Sequence, residues 1–176
     1  MERNRKQLTL FINEPNGSIE KIRAKFNPVQ YNLIKAHITL CREDEIEPIG
    51  EIIQRIKSIS LERPIRIELG KAERFADGKG VYISSLGNNK EFEELRKLVL
   101  GQRELKKEQV PHITLMHPRN STCTDPIFEQ IKNYDFPSEL QFEKVSLIEQ
   151  IHGGKWHILQ EFEILQKNLV QQCTKE

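Results

Sequence analysis

A chain of 176 residues with 27 basic and 26 acidic side chains carries a net charge of +1, which argues against an extended electrostatic track along a long duplex nucleic acid. Charged residues at 30 % and apolar ones at 37 %, with no low-complexity tract or linker, describe an ordinary soluble globule able to bury roughly two-thirds of its unfolded surface. No window approaches the ~18 continuous apolar residues of a membrane span, the opening Met1-Glu2-Arg3-Asn4-Arg5-Lys6 lacks a signal-peptide core, and Cys41, Cys123 and Cys173 are scattered like free thiols, so a cytoplasmic monomer is expected.

Alternation from Gln7 to Ile12 predicts a strand; Gly17-Ser18 then opens an amphipathic helix on Ile19, Ile22 and Phe26, closed by Pro28. Ala36 to Cys41 reads as a second strand, and Asp44 as the cap of a helix with Ile46, Ile49, Ile53 and Ile56 along one side. Strands Ile65–Leu69 and Val81–Leu86 follow, joined by a glycine-bounded loop carrying Lys71, Arg74, Phe75 and Lys79. Asn88 with Glu91 resembles a capping box for a helix on Phe92, Leu95 and Val99 that stops at Gly101. A strand at 112–115, a helix opened by Thr124-Asp125-Pro126, and two long strands turned at Gly153-Gly154 complete the order.

His37-Ile38-Thr39-Leu40 recurs unchanged as His112-Ile113-Thr114-Leu115, an offset of 112 − 37 = 75. The same offset carries Ile52 onto Ile127, Ile56 onto Ile131, Ile65 onto Leu140, Ile67 onto Phe142, Val81 onto Trp156 and Ile83 onto Ile158. An internal duplication is inferred, each half giving a small antiparallel sheet packed by helices and one His-x-Thr strand. Fold class is therefore α+β: a bilobal, pseudo-twofold chain spanning 1–176 as one domain around a central cleft.

Within a strand, residues two apart share a face, so each histidine and its threonine look into the cleft while Ile and Leu look into the core. Two imidazoles flanking one pocket suit in-line displacement at phosphorus: one takes a proton from water and the other gives one to the leaving oxygen. Histidine fits because its ordinary pKa, near 6.5, lets a neutral and a protonated copy coexist near neutrality. The scheme calls for no metal and no cofactor.

Two His-x-Thr-x copies with apolar x, in a chain of this length, resemble the two-histidine phosphoesterases, the superfamily of 2′-5′ RNA ligases and RNA 2′,3′-cyclic phosphodiesterases. The likeness in motif and element order runs from about Gln7 to about Leu165. It implies metal-independent opening of a 2′,3′-cyclic phosphate on an RNA end or small nucleotide to a monoester, chiefly a 2′-phosphate, with weak reverse 2′-5′ joining. It also implies His37 as acid and His112 as base, with Thr39 and Thr114 holding phosphate oxygens. A departure follows the second motif, where Met116-His117-Pro118-Arg119 replaces the short basic continuation often seen there. The alternative is a non-catalytic module that binds nucleotides or RNA ends in the same cleft.

Arg42 and Arg119 lie just past the two motifs, either as phosphate-reaching guanidiniums or as solvated loop charges. The loop from Gly70 to Gly80 reads as a flap over a nucleotide or as a plain hairpin loop. Tyr82 and His157 correspond under the offset and are candidates to stack on a base or pack at the core edge. Strand parity turns His117 away from the site and puts Cys41 and Met116 on its wall, while His152 belongs to a turn.

Overall fold

The structure is a computed structural model describing residues 4–101 and 108–166; Cys173 lies outside them. The elements run β1 Arg5–Phe11, α1 Ser18–Phe26, α2 Pro28–Leu33, β2 His37–Cys41, α3 Ile49–Ser58, β3 Ile65–Arg74, β4 Val81–Ser85, α4 Lys90–Leu100, β5 His112–Met116, α5 Asp125–Lys132, β6 Glu139–Phe142, β7 Lys144–Gln150 and β8 Trp156–Glu163. They form two four-stranded antiparallel sheets, ordered β2-β1-β7-β8 and β5-β4-β3-β6, with helices packed on them. Each motif strand is therefore an edge strand, and β2 and β5 approach one another across the gap between the sheets.

Local departures from expectation have identifiable causes. Pro28 ends α1 but opens α2, because its fixed φ and missing N–H suit a first helical turn. Helix α3 begins at Ile49 rather than near Asp44, since Pro48 sits extended at its N-cap. Strand β3 runs on to Arg74 through a bulge between Leu69 and Ala72, absorbing most of the expected flap. The Asn88/Glu91 box does not close: Asn89 is the N-cap, and the Glu91 carboxylate instead accepts the Arg66 N–H at 2.8 Å and pairs with Arg63 at 3.2 Å.

The sheets do not follow the two halves of the chain. Ile65 and Ile67 lie directly opposite Phe142 and Leu140 in one sheet, so their match at 75 reflects neighbouring strands rather than equivalent ones. Val81 matches Leu8 instead of Trp156, because Leu8 faces Cys41 as Val81 faces Met116. The buried positions Ile19, Ile22 and Arg23 of α1 recur as Phe92, Leu95 and Arg96 of α4, an offset of 96 − 23 = 73. Each repeated unit is thus strand, helix, motif strand, helix, and the next long strands are exchanged: β3 lies beside β4, while β7 lies beside β1. This interleaving joins both sheets into one buried apolar cluster and holds β2 and β5 in fixed apposition.

Candidate active site

Both motif strands carry a bulge at the same place. Thr9 faces Thr39 and Leu8 faces Cys41, leaving Leu40 as an extra residue; Tyr82 faces Thr114 and Val81 faces Met116, leaving Leu115 as its counterpart. One inserted residue reverses the alternation beyond it. Cys41 and Met116 consequently turn into the core, at 0 % and 1 % exposure, and do not line the cleft. Arg42 and His117, equivalent at the offset of 75, turn towards the cleft instead. The parity argument that aimed His117 away fails at this bulge.

His37, Thr39 and Arg42 from one side and His112, Thr114 and Arg119 from the other line a single cavity of about 380 Å³. The two rings are held alike. His37 Nδ1 lies 2.8 Å from the Lys35 carbonyl oxygen, and His112 Nδ1 lies 3.0 Å from that of Val110. A carbonyl can only accept, so each Nδ1 carries the proton and each Nε2 is free to exchange one. Phe11 meets the His37 ring edge-on at 6.2 Å, and Phe75 and Tyr82 meet the His112 ring at 5.9 and 5.7 Å. Burial pushes His37 down to about 4, with the nearby Arg23 guanidinium and the other two cleft imidazoles adding to the effect against the Lys35 carbonyl.

Two buried arginines support this geometry. Arg96, 2 % exposed, donates to the carbonyl of the bulged Leu40 and to Glu45 at 2.6 Å, and Glu45 also accepts the Arg42 N–H at 2.8 Å. Arg23, 1 % exposed, donates to Glu20 at 2.6 Å and to the Ile34 carbonyl at 2.7 Å beneath the cleft, while its Nε has no hydrogen-bond partner among the described residues. On the second strand Asn27 takes the place of Glu45: its Oδ1 accepts the His117 N–H at 2.9 Å, and its Nδ2 donates to Asn120 at 2.9 Å. The side chain of His117 is fixed in turn by the Arg119 N–H, which donates to Nδ1 at 3.2 Å.

A family model, the 2′-5′ RNA ligase superfamily, matches residues 12–154. The chain belongs to that superfamily. A Bacillus licheniformis protein named "Putative phosphoesterase" is 25 % identical over 146 residues, 80 % of this chain and 86 % of the relative. Among solved structures, E. coli LigT complexed with NADP+ superposes with a TM-score of 0.61 at 18 % identity, covering 94 % of this chain and 100 % of LigT. LigT complexed with 3′-AMP gives 0.61 at 18 % identity over 93 % and 99 %. TT0787 of Thermus thermophilus gives 0.55 at 16 % identity over 93 % and 99 %. At these identities the superpositions establish the fold.

Against this superfamily frame, the remaining predicted site residues separate. Tyr82 stands beside His112 without lining the cavity, its hydroxyl donating to Glu73 at 3.3 Å and its ring tilted against Phe75 at 4.6 Å. His157 lies exposed on the outer strand β8, opposite Glu149 and away from the cleft, so it is not the counterpart of Tyr82. Its neighbour Trp156 lines the cleft, with Arg5 5.7 Å over the ring. Arg23, Gln109, Gln150 and Trp156 were not singled out from the sequence. Only Arg23, a cation in an apolar helical face, carried a usable signal. Among the described residues no group of three His, Cys, Asp or Glu side chains is placed to hold a metal ion, and no helix is long and apolar enough to cross a membrane.

Proposed function

We propose that this member of the superfamily hydrolyses a 2′,3′-cyclic phosphate on an RNA end or small nucleotide to a 2′-phosphomonoester, without a metal. The observation that carries the reading is the matched tethering of two imidazoles, each tied through Nδ1 to the carbonyl two residues upstream, around one cavity. Both rings come from a single copy, so a monomer spanning 1–176 is competent as one two-lobed unit.

His112 Nε2 accepts a proton from the entering water as its oxygen bonds to phosphorus; the bond to O3′ breaks, and His37 Nε2 delivers the proton that O3′ receives. Thr39 and Thr114 hydroxyls donate to the non-bridging oxygens, and Arg42, Arg119 and the Nε2–H of His117 add positive potential. His37 is neutral at pH 7 in the empty cleft because its ring is pushed down to about 4. The arriving phosphodiester anion favours the imidazolium, so proton uptake accompanies binding. With a 5′-hydroxyl in place of water as the nucleophile, the same groups form a 2′-5′ phosphodiester while O3′ again leaves, the route to a weak 2′-5′ ligation.

A panel of 2′,3′-cyclic nucleotides and cyclic-phosphate RNA oligomers, read by phosphorus NMR, tests substrate and product isomer together. The expected product is the 2′-phosphate, formed at an unchanged rate in EDTA. Tight calorimetric binding of AMP with no turnover of any cyclic phosphate would replace the reading by a nucleotide-binding module.

A further inference from the structure

The catalytic cleft is not the only cavity beside His37. A second one, of about 500 Å³, lies on the outer side of Phe11 and is bounded by Tyr31, Ile34, Lys35, Lys155 and Trp156. Ile34 and Trp156 line both cavities, and Phe11 presents one edge to the His37 ring while lining the second space. The two spaces therefore share a wall on the side of the proton donor, where the ribose of a cyclic phosphate has to lie. A volume of this size is that of a small-molecule site.

The chemistry of the lining is selective. Tyr31 is 42 % exposed and Ile158, at its outer margin, is 52 % exposed, so apolar faces are left open to a ligand. The two carboxylates at the margin are already engaged: Glu14 accepts the Ser18 hydroxyl and the Ile19 N–H, and Glu20 accepts Arg23 and the Ala36 N–H. Lys35 and Lys155 have no ion-pair partner among the described residues. An open tyrosine face beside a half-buried tryptophan edge, with free ammonium groups at hand, suits a nucleobase and its backbone phosphate.

We infer that this second cavity holds the penultimate nucleoside, the one on the 5′ side of the nucleoside bearing the cyclic phosphate, with its base against Tyr31 and Trp156 and the linking phosphodiester at Lys35 and Lys155. The enzyme is thereby an RNA-end phosphoesterase that discriminates against mononucleotides. The inference rests on the cyclic-phosphate reading for placing the terminal phosphate at the two histidines.

The experiment pairs turnover with binding. Turnover compares 2′,3′-cyclic AMP with the dinucleotide ApA bearing a 2′,3′-cyclic phosphate. Binding follows quenching of Trp156, the sole tryptophan, by adenosine 2′-phosphate and by ApA 2′-phosphate, neither of which needs to react. The dinucleotide is expected to be favoured by about tenfold or more in kcat/KM and in affinity, the scale of one base stacked on an aromatic ring. Tyr31→Ala/Lys155→Ala, which removes two surface side chains outside the catalytic cleft, should abolish that preference while cyclic AMP turnover stays at the wild-type rate. Equal affinity for the two ligands in the wild type, or a preference that persists in the double variant, overturns the subsite. Dinucleotide-selective quenching without turnover of either cyclic phosphate supports the subsite and removes the hydrolase reading instead.

Discussion

Replacing Arg96 by methionine should cost more stability than any surface change, and the magnitude follows from what its guanidinium touches. At 2 % exposure it donates to Glu45, itself 9 % exposed, at 2.6 Å and to the carbonyl of bulged Leu40. Methionine fills similar space but takes the Arg96 guanidinium away from the buried Glu45 carboxylate and from the Leu40 carbonyl. Breaking a buried pair from one side costs about 3–5 kcal/mol, a large share of the roughly 5–15 kcal/mol that holds a domain folded. For a chain of this size that corresponds to a fall in Tm of about 6–20 °C, read by circular dichroism. Adding Glu45→Gln neutralises the buried carboxylate and still accepts the Arg42 N–H, so the double variant should be more stable than Arg96→Met alone. Because Leu40 is the residue that turns Arg42 to the cleft, KM for a cyclic phosphate should rise several-fold in the single variant. An Arg96→Met protein melting within about 2 °C of wild type would refute the reasoning.

Gly80→Ala places a Cβ 2.6 Å from the Phe75 ring and 2.7 Å from the Met116 carbonyl oxygen. Overpacking against backbone at the end of β5 should cost about 1–3 kcal/mol, seen as a lower urea midpoint, with slower turnover because Phe75 flanks His112. Stability should fall on acidification from 6.5 towards 4, because the unfolded His37 ring binds a proton that the folded ring, at about 4, refuses. The loss reaches at most about 3 kcal/mol by pH 4, and His37→Gln should flatten that part of the urea-denaturation profile. The acid limb of kcat/KM should lie near pH 4 whichever ring is the donor, since the two proton assignments are kinetically equivalent, and it should vanish in His37→Ala. Calorimetry of 2′,3′-cyclic AMP binding to His112→Ala at pH 6, where the diester itself does not titrate, in buffers of different ionisation enthalpy should show net proton uptake, with proton release contradicting the role given to His37.

Much of the site was readable because chemistry dictates residue identity there: two identical tetrapeptides announce two equivalent strands, and the apolar partners inside each motif fix which face is core. Bulges are written in hydrogen-bond register rather than in residue type, so nothing at Leu40 or Leu115 marks them, and parity placed Cys41, Met116 and His117 on the wrong sides. Arg23 and Arg96 were a visible repeat hidden by a change of offset from 75 to 73 between the first strand–helix pair and the motif strand. The matches of Ile65 and Ile67 misled for the opposite reason. Strands paired in one sheet share the same alternation as strands equivalent in two sheets. Trp156 and His157 are adjacent on an edge strand, and only the tertiary placement of β8 decides which of them reaches the cleft.

The most direct test is turnover of one cyclic-phosphate substrate by His37→Ala, His112→Ala and the double variant, each shown to be folded by circular dichroism. Two rings serving one displacement act as a unit, so each single change should lower kcat by about a hundredfold to ten-thousandfold and the second change should add little to the worse of the two. Wild-type turnover in either single variant, or a double variant slowed by the full product of the two effects, would contradict a shared anion between His37 and His112.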